Sequence, residues 1–410
     1  MTGDQNLVII GGGFAGAKAA EGARASGFDG RIVLVGEEQG LPYERPPLSK
    51  AVLRGEAPPE SADVHDAAFY ADNRIELVTG RAVEALEPAA HRVRLSGGGG
   101  SGDGETLTYT AAVLATGAAP RRLDIPGADL DGVHYLRTRH DARGLADAIR
   151  AAGRVAVIGA GWIGSEVAAS ARQMGADVVM IDPGPVPLRR VLGERLGHLF
   201  RQLHADHGVA LRLGSRVAAL HGRGAVDGVV LGDGEVEPAD VVVVGIGVAP
   251  RVELAVAAGL EVDDGVVVDD RLRTSAPDVY AAGDVASAWH PLYGRHLRVE
   301  HWSNALHQGL VVGANATGGD QAYTRPPYFF SDQYDLGMEY VGQADPTDDV
   351  VIRGSLEDRE LIAFWHRAGV VTAAMNVNVW DVADDLRTLV TSGLPVDLTK
   401  LADPTTPLPI

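Results

Sequence analysis

The sequence predicts an α/β protein with two Rossmann-like domains and a smaller α+β domain at its C-terminus. The first observation is a repeat: a short apolar strand, a glycine turn, a small-residue helix and a second strand ending in an acid run from Leu7 to Glu37 and again from Val155 to Asp182. Each is a βαβ unit of the doubly wound type, so a fold module has been duplicated within the chain. The second is a change of character after Arg325-Pro326-Pro327, where aromatic, alternating strands begin (Tyr328, Phe329, Phe330, Tyr334, Tyr340, Val341). The third is length, since 410 residues exceed what one ordinary core organises.

Boundaries follow from two further apolar strands that end in glycine turns, Ala111–Gly117 and Val241–Gly247, with Pro120 and Pro250 shortly after each. They divide the chain into a discontinuous first domain (1–117 and 246–325), a second (118–245) and a C-terminal domain (326–410). Gly97–Gly104 is expected to form a flexible hairpin loop in the first domain.

Composition narrows the function classes. With 46% hydrophobic and 22% charged residues the chain reads as globular, and no apolar run approaches the roughly 20 residues of a membrane helix. The first residues lead directly into the strand Leu7–Ile10, so no signal peptide and a cytoplasmic location are expected. A net charge of −19 argues against nucleic-acid binding, which needs basic surface. There are no cysteines, which removes disulfides, thiolate metal sites and cysteine nucleophiles together. No metal site is expected.

The first glycine turn is Gly11-Gly12-Gly13-Phe14-Ala15-Gly16. Gly11 allows the tight turn, Gly13 lets backbone approach a pyrophosphate, and Gly16 lets helix pack on strand. The helix N-terminus then offers N–H groups and a positive dipole end to phosphates. Glu37, 21 residues past Gly16, stands where an acid binds ribose hydroxyls. The second turn is Gly159-Ala160-Gly161-Trp162-Ile163-Gly164, with Asp182 placed 18 residues on. A carboxylate there accepts ribose hydroxyls and repels a 2′-phosphate, favouring NADH over NADPH. Arg189 and Arg190, close behind, could instead pair with that phosphate, or form a solvated surface pair.

A third motif, Thr274–Val285, contains Gly283-Asp284. With it the chain resembles the FAD- and NAD-dependent pyridine nucleotide oxidoreductase superfamily, of glutathione-reductase-like fold. The resemblance implies that Asp284 contacts the flavin ribityl chain, that the N-terminal turn holds FAD and that the central one holds NAD. Further segments are similar to ferredoxin reductases of oxygenase and cytochrome P450 systems: Leu41–Lys50, Tyr135–Thr138, Val299–Ala305 and Ser331–Tyr334.

Carried over by position, the resemblance implies FAD contacts from Ala15, Glu37, Lys50, Val83, Arg137, Asp284 and Trp302, with a core valine and a surface arginine as the other readings of Val83 and Arg137; Gly11, Gly13, Phe14, Gly16, Arg45, Pro46, Ala115, Thr116, Gly117 and Gly283 are further candidate cofactor-binding residues. It implies an NAD site lined by Gly159, Gly161, Ile163, Gly164, Glu166, Asp182 and Gly247. Lys50 is one of only three lysines in the chain. The similar apoptosis-inducing factor has a matching lysine and glutamate paired beside the flavin, which makes Lys50 and Glu166 the candidate catalytic pair. A cation near the flavin N5 would stabilise the anionic reduced ring.

Two departures stand out. Tyr328 and Phe330 occupy positions where many ferredoxin reductases have tryptophans. Glu300-His301 matches the cell-death-factor branch as much as the oxygenase branch, and His301 could titrate near neutrality or be structural. Arg295, His296 and Arg298 form a candidate basic patch for an acidic iron–sulfur partner, or a solvated loop. The resemblance therefore implies an NADH-dependent reductase passing electrons through FAD to a ferredoxin, acting as monomer or homodimer. An NADH oxidase that reduces oxygen directly, or an NADH-sensing flavoprotein acting through a binding surface, would use the same residues.

Overall fold

The computed structural model describes residues 5–97 and 104–409, so most of the loop expected at Gly97–Gly104 lies outside the described residues. The chain packs as two compact units. One comprises Met1–Glu44, Ala62–Ala119 and Ala249–Pro327; the other comprises Arg45–Ser61, Pro120–Val248 and Tyr328–Ile410.

The first unit is built on a five-stranded parallel sheet in the spatial order Val279–Ala281, Ala111–Leu114, Asn6–Ile10, Arg31–Gly36, Ile75–Thr79. Leu7 to Ile10 are buried along their whole length, as expected for a parallel strand covered on both faces. The helix after the first glycine turn, Phe14–Ala25, lies against Trp302–Asn315. Small residues let these two helices touch through their backbones. A Cβ on Gly313 would stand 2.0 Å from the Ala19 carbonyl oxygen, and one on Gly22 would stand 2.3 Å from that of Leu310.

The second unit repeats the plan. Its parallel sheet runs Ala210–Leu213, Asp177–Asp182, Arg154–Ile158, Val241–Val244, Val133–His134. Each unit also inserts a three-stranded antiparallel meander ahead of a later core strand: Val83–Glu87, Arg92–Leu95 and Thr106–Thr108 in the first, Val217–Arg223, Ala225–Leu231 and Val236–Pro238 in the second. The duplication therefore reaches beyond the two βαβ segments visible in the sequence.

Inside the second unit, the aromatic region forms a five-stranded antiparallel sheet in the order Tyr328–Gln333, Leu336–Gly342, Val370–Val377, Glu360–Arg367, Asp349–Ser355. One face packs on Leu192, Leu196, Phe200 and Leu203 of the helix Arg189–Asp206. The other packs on Leu386, Leu389 and Val390 of the helix Ala383–Ser392. The α/β class with two Rossmann-like parallel sheets and a C-terminal α+β region agrees with the expectation from sequence. The stretch Arg45–Ser61, expected within the first domain, packs within the second unit, where Leu53 is fully buried with Leu145, Ile149 and Val167. Among the described residues no helix is long and apolar enough to cross a membrane, and no acid–histidine cluster is arranged for a metal ion.

The backbone contact between the two helices of the first unit makes a testable demand. Gly313→Ala should lower unfolding stability by about 1–3 kcal/mol through overpacking, read as a shifted denaturant midpoint. An unchanged midpoint would contradict the packing described.

Candidate functional site

Both glycine turns sit at the carboxyl end of the central strand of their sheet, where the chain crosses to one neighbour and later returns beside the other. They agree in detail. Gly11 (φ 124°) and Gly159 (φ 100°) adopt backbone that side chains disfavour. A Cβ on Gly11 would stand 2.1 Å from the Ala115 carbonyl oxygen, and one on Gly159 would stand 2.4 Å from that of Gly245. A Cβ on Gly16 would meet the Gly11 carbonyl oxygen at 2.0 Å, and one on Gly164 that of Gly159 at 1.9 Å.

The middle glycines differ from these. A Cβ on Gly13 or Gly161 would meet nothing within 4 Å, and both residues have ordinary extended backbone. Neither helix N-terminus carries a side-chain cap. First-turn N–H groups have no partner within a helix, and the dipole there is positive. Open space beside uncapped donors fits a pyrophosphate in both units.

In the first unit, Asp284 arrives from far along the chain. Gly283 is left-handed (φ 76°), and a Cβ on it would stand 2.8 Å from Ala15 Cβ, so this turn lies directly on the first glycine-turn helix. The Gly283 N–H donates to the buried Gln308 side chain at 2.9 Å, a contact the sequence reading missed. Trp302 stacks on Phe14, ring centroids 5.4 Å apart. Burial pushes the His301 pKa down to about 4 against the opposing pull of Asp284, so the imidazole is neutral at pH 7 rather than titrating near it. Thr116 donates its hydroxyl to the Arg251 carbonyl, and the Gly117 carbonyl accepts the Arg251 N–H. The Arg251 guanidinium pairs with Glu37 at 2.8 Å on the surface. Val83 packs against the core of the same unit.

In the second unit, Asp182 closes its strand and turns back to the glycine turn. Its carboxylate accepts N–H groups from Ala160 at 2.8 Å and Gly184 at 2.7 Å, leaving lone pairs for further donors. Glu37 is not its exact structural counterpart. By sheet register Ile181 matches Val35, so Asp182 matches Gly36 and Glu37 lies one residue further on. Ile163 and Ile246 are 46% and 37% exposed, two of the few exposed large aliphatic side chains among the described residues, and both flank the second turn. Gly247 is left-handed, and its carbonyl accepts the Arg121 N–H. Arg189 pairs with Glu194 on the surface.

The same unit holds the candidate catalytic pair. Lys50 follows the 3₁₀ turn Pro46–Ser49, and its ammonium lies 2.8 Å from Glu166 Oε1, with side chains 13% and 5% exposed. The Phe330 ring centroid is 5.7 Å from that ammonium, within cation–π range. Arg45 donates to the Arg137 carbonyl, joining two more of the residues picked from sequence. The basic patch is smaller than the sequence suggested. Arg298 is 10% exposed and bound to Glu300 and Asp264, leaving Arg295 and His296 at the surface beside exposed Trp289.

Residues 5–309 match the family model described as pyridine nucleotide-disulphide oxidoreductase, and 328–409 match the one described as reductase C-terminal. The ferredoxin--NAD(+) reductase component of an anthranilate 1,2-dioxygenase system from Burkholderia cepacia is 41% identical over 403 residues, 97% of each chain. Putidaredoxin reductase from Pseudomonas putida is 37% identical over all of this chain and 97% of its own. Among solved structures, the ferredoxin reductase for the CYP199A2 system of Rhodopseudomonas palustris superposes with a TM-score of 0.94 at 36% identity, covering 98% of both chains. A covalent putidaredoxin reductase–putidaredoxin complex gives the same TM-score and identity, covering 99% of this chain and 97% of that one.

The contrast among the glycines predicts different outcomes on substitution. In the nucleotide-free protein, Gly13→Ala and Gly161→Ala should keep the wild-type melting temperature, while FAD and NADH binding weaken respectively, each by tenfold or more in a titration. Gly16→Ala and Gly164→Ala should instead lower the melting temperature. A loss of stability in the first pair equal to that in the second would contradict the assignment.

Proposed function

The chain belongs to the pyridine nucleotide-disulphide oxidoreductase family, and on that premise we propose that it is an NADH-dependent flavoprotein reductase that passes electrons through FAD to an iron–sulfur ferredoxin serving an oxygenase or cytochrome P450. The observation that carries this reading is the glycine turn present twice, open at Gly13 and at Gly161, in a chain with no cysteine. Disulfide reductases of this kind need a dithiol and peroxidases a cysteine that cycles through sulfenic acid, so neither chemistry is available here. What remains is electron export to another molecule.

When bound, FAD would supply the chemistry that links a two-electron hydride donor to a one-electron carrier. The residues supply placement and field. The uncapped N-terminus of Phe14–Ala25 would hold the FAD pyrophosphate, and Asp284, fixed against Ala15 through Gly283, would accept from the ribityl chain. The matching helix of the second unit would hold the NADH pyrophosphate. Asp182 would accept ribose hydroxyls with its remaining lone pairs and repel a 2′-phosphate. Burial of Ile163 and Ile246 on nucleotide binding would add apolar contact, about 25 cal/mol per Å² removed from water. Lys50, held by Glu166, would favour negative charge on the reduced flavin. Arg295 and His296 are what remains of the surface proposed to steer an acidic ferredoxin. Dependence on NADH and a soluble carrier supports a cytoplasmic location.

With purified FAD-loaded protein, NADH consumption should rise at least tenfold on adding a suitable ferredoxin, and NADPH should be the poorer donor. Oxygen uptake that already matches this turnover without ferredoxin would favour an oxidase and contradict the proposal. Lys50→Ala should slow anaerobic flavin reduction by NADH about tenfold in stopped flow, and an unchanged rate would remove Lys50 from the mechanism.

A further inference from the structure

The Lys50–Glu166 pair ends a buried row of polar side chains that runs back to His204. Glu166 Oε1 takes the Lys50 ammonium at 2.8 Å and the Ser331 hydroxyl at 2.7 Å, while Oε2 takes the Ser49 hydroxyl at 2.5 Å. Behind Ser331, Gln333 Nε2 lies 3.2 Å from the serine oxygen. His204 Nε2 lies 3.1 Å from Gln333 Oε1, and the Tyr334 hydroxyl lies 3.4 Å from His204 Nδ1. His204, Ser331 and Gln333 are each no more than 1% exposed.

The carboxylate sets the direction of every bond in this row. An ionised carboxylate only accepts, so Ser331 must donate its single proton to Glu166. The serine oxygen is then left to accept, which requires Gln333 to present its NH₂ and turn its carbonyl to His204. A carbonyl cannot donate, so His204 must carry its proton on Nε2 and receive Tyr334 on Nδ1. All donors point toward Glu166. Burial pushes the His204 pKa down to about 4, which keeps the ring neutral near pH 7 and preserves this tautomer. Strand alternation explains why Ser331 and Gln333 reach the row while Phe330 and Asp332 face the other way.

We propose that Ser331, Gln333 and His204 are positioning residues for Lys50: a unidirectional hydrogen-bond chain that holds the Glu166 carboxylate oriented, and through it holds the lysine cation in place to tune the flavin. The inference rests on the reading of Lys50 given above. It assigns a task to Ser331 and Gln333 of the Ser331-Asp332-Gln333-Tyr334 segment, and adds His204, which nothing in the sequence marked.

The test measures the midpoint potential of bound FAD and its anaerobic reduction by NADH, neither of which involves ferredoxin. Ser331→Ala should make the potential more negative and slow reduction at least threefold, and Ser331→Thr should restore both. In a Lys50→Ala background, Ser331→Ala should add nothing, because its effect passes through the lysine. A wild-type potential and rate in Ser331→Ala, or an equal slowing with Lys50 already removed, would overturn the proposal. If Lys50→Ala itself behaves as wild type, the reading of Lys50 and this inference fall together; if Lys50→Ala is slow and Ser331→Ala is not, only this inference falls. The unsubstituted protein gives an independent check by ¹⁵N NMR of its histidines: His204 should be neutral with its proton on Nε2, and an Nδ1–H tautomer would overturn the chain of bonds.

Discussion

The structure depends on backbone meeting backbone at two turns. A helix can offer its N-terminus to a phosphate at the end of a buried strand only where strand and helix come closer than a Cβ permits. Gly11 and Gly16 meet this condition in one unit, Gly159 and Gly164 in the other, each with a hypothetical Cβ 2.4 Å or less from a carbonyl oxygen. The turn then leaves one glycine facing open space, and that residue is where a ligand can approach. The same requirement for small residues continues along the helix Phe14–Ala25, whose contact with Trp302–Asn315 brings the Gly283-Asp284 turn down on Ala15.

The C-terminal sheet has more than a packing role in its unit. Its first strand alternates between an inward row, Phe329, Ser331 and Gln333, and an outward row, Tyr328, Phe330 and Asp332. The inward row meets Glu166 and His204; the outward row places an aromatic ring over the Lys50 ammonium. Removing one partner from a buried ion pair costs roughly 3–5 kcal/mol, because the remaining charge stays desolvated. Ser49 and Ser331 reduce that exposure to loss by giving the carboxylate two further donors.

Much of this was legible in the sequence, for identifiable reasons. Glycine spacing is imposed locally by backbone sterics, so both turns could be read directly. The alternating aromatic strands after Pro327 announced a region of different build. What could not be read is contact between distant polar residues, which leaves no period: Gln308 on Gly283, His204 on Gln333, Ser331 on Glu166. The packing of Arg45–Ser61 within the second unit was hidden for the same reason, because its short turns carry no amphipathic pattern. Spacing alone also concealed that Glu37 and Asp182 differ by one residue in register. Arg298 reads as surface charge in the sequence, yet its side chain is largely buried and bound to Glu300 and Asp264.

Two nucleotide turns without a thiol describe a protein that must give its electrons away. The most direct test is a double-mixing stopped-flow experiment. Bound FAD is reduced anaerobically with one equivalent of NADH, then mixed either with an oxidised ferredoxin or with air-saturated buffer. A ferredoxin reductase should show flavin reoxidation by ferredoxin within the turnover time, with one flavin reoxidised for two ferredoxins reduced, and much slower reoxidation by air. Reoxidation by air as fast as by any ferredoxin tried would contradict this reading.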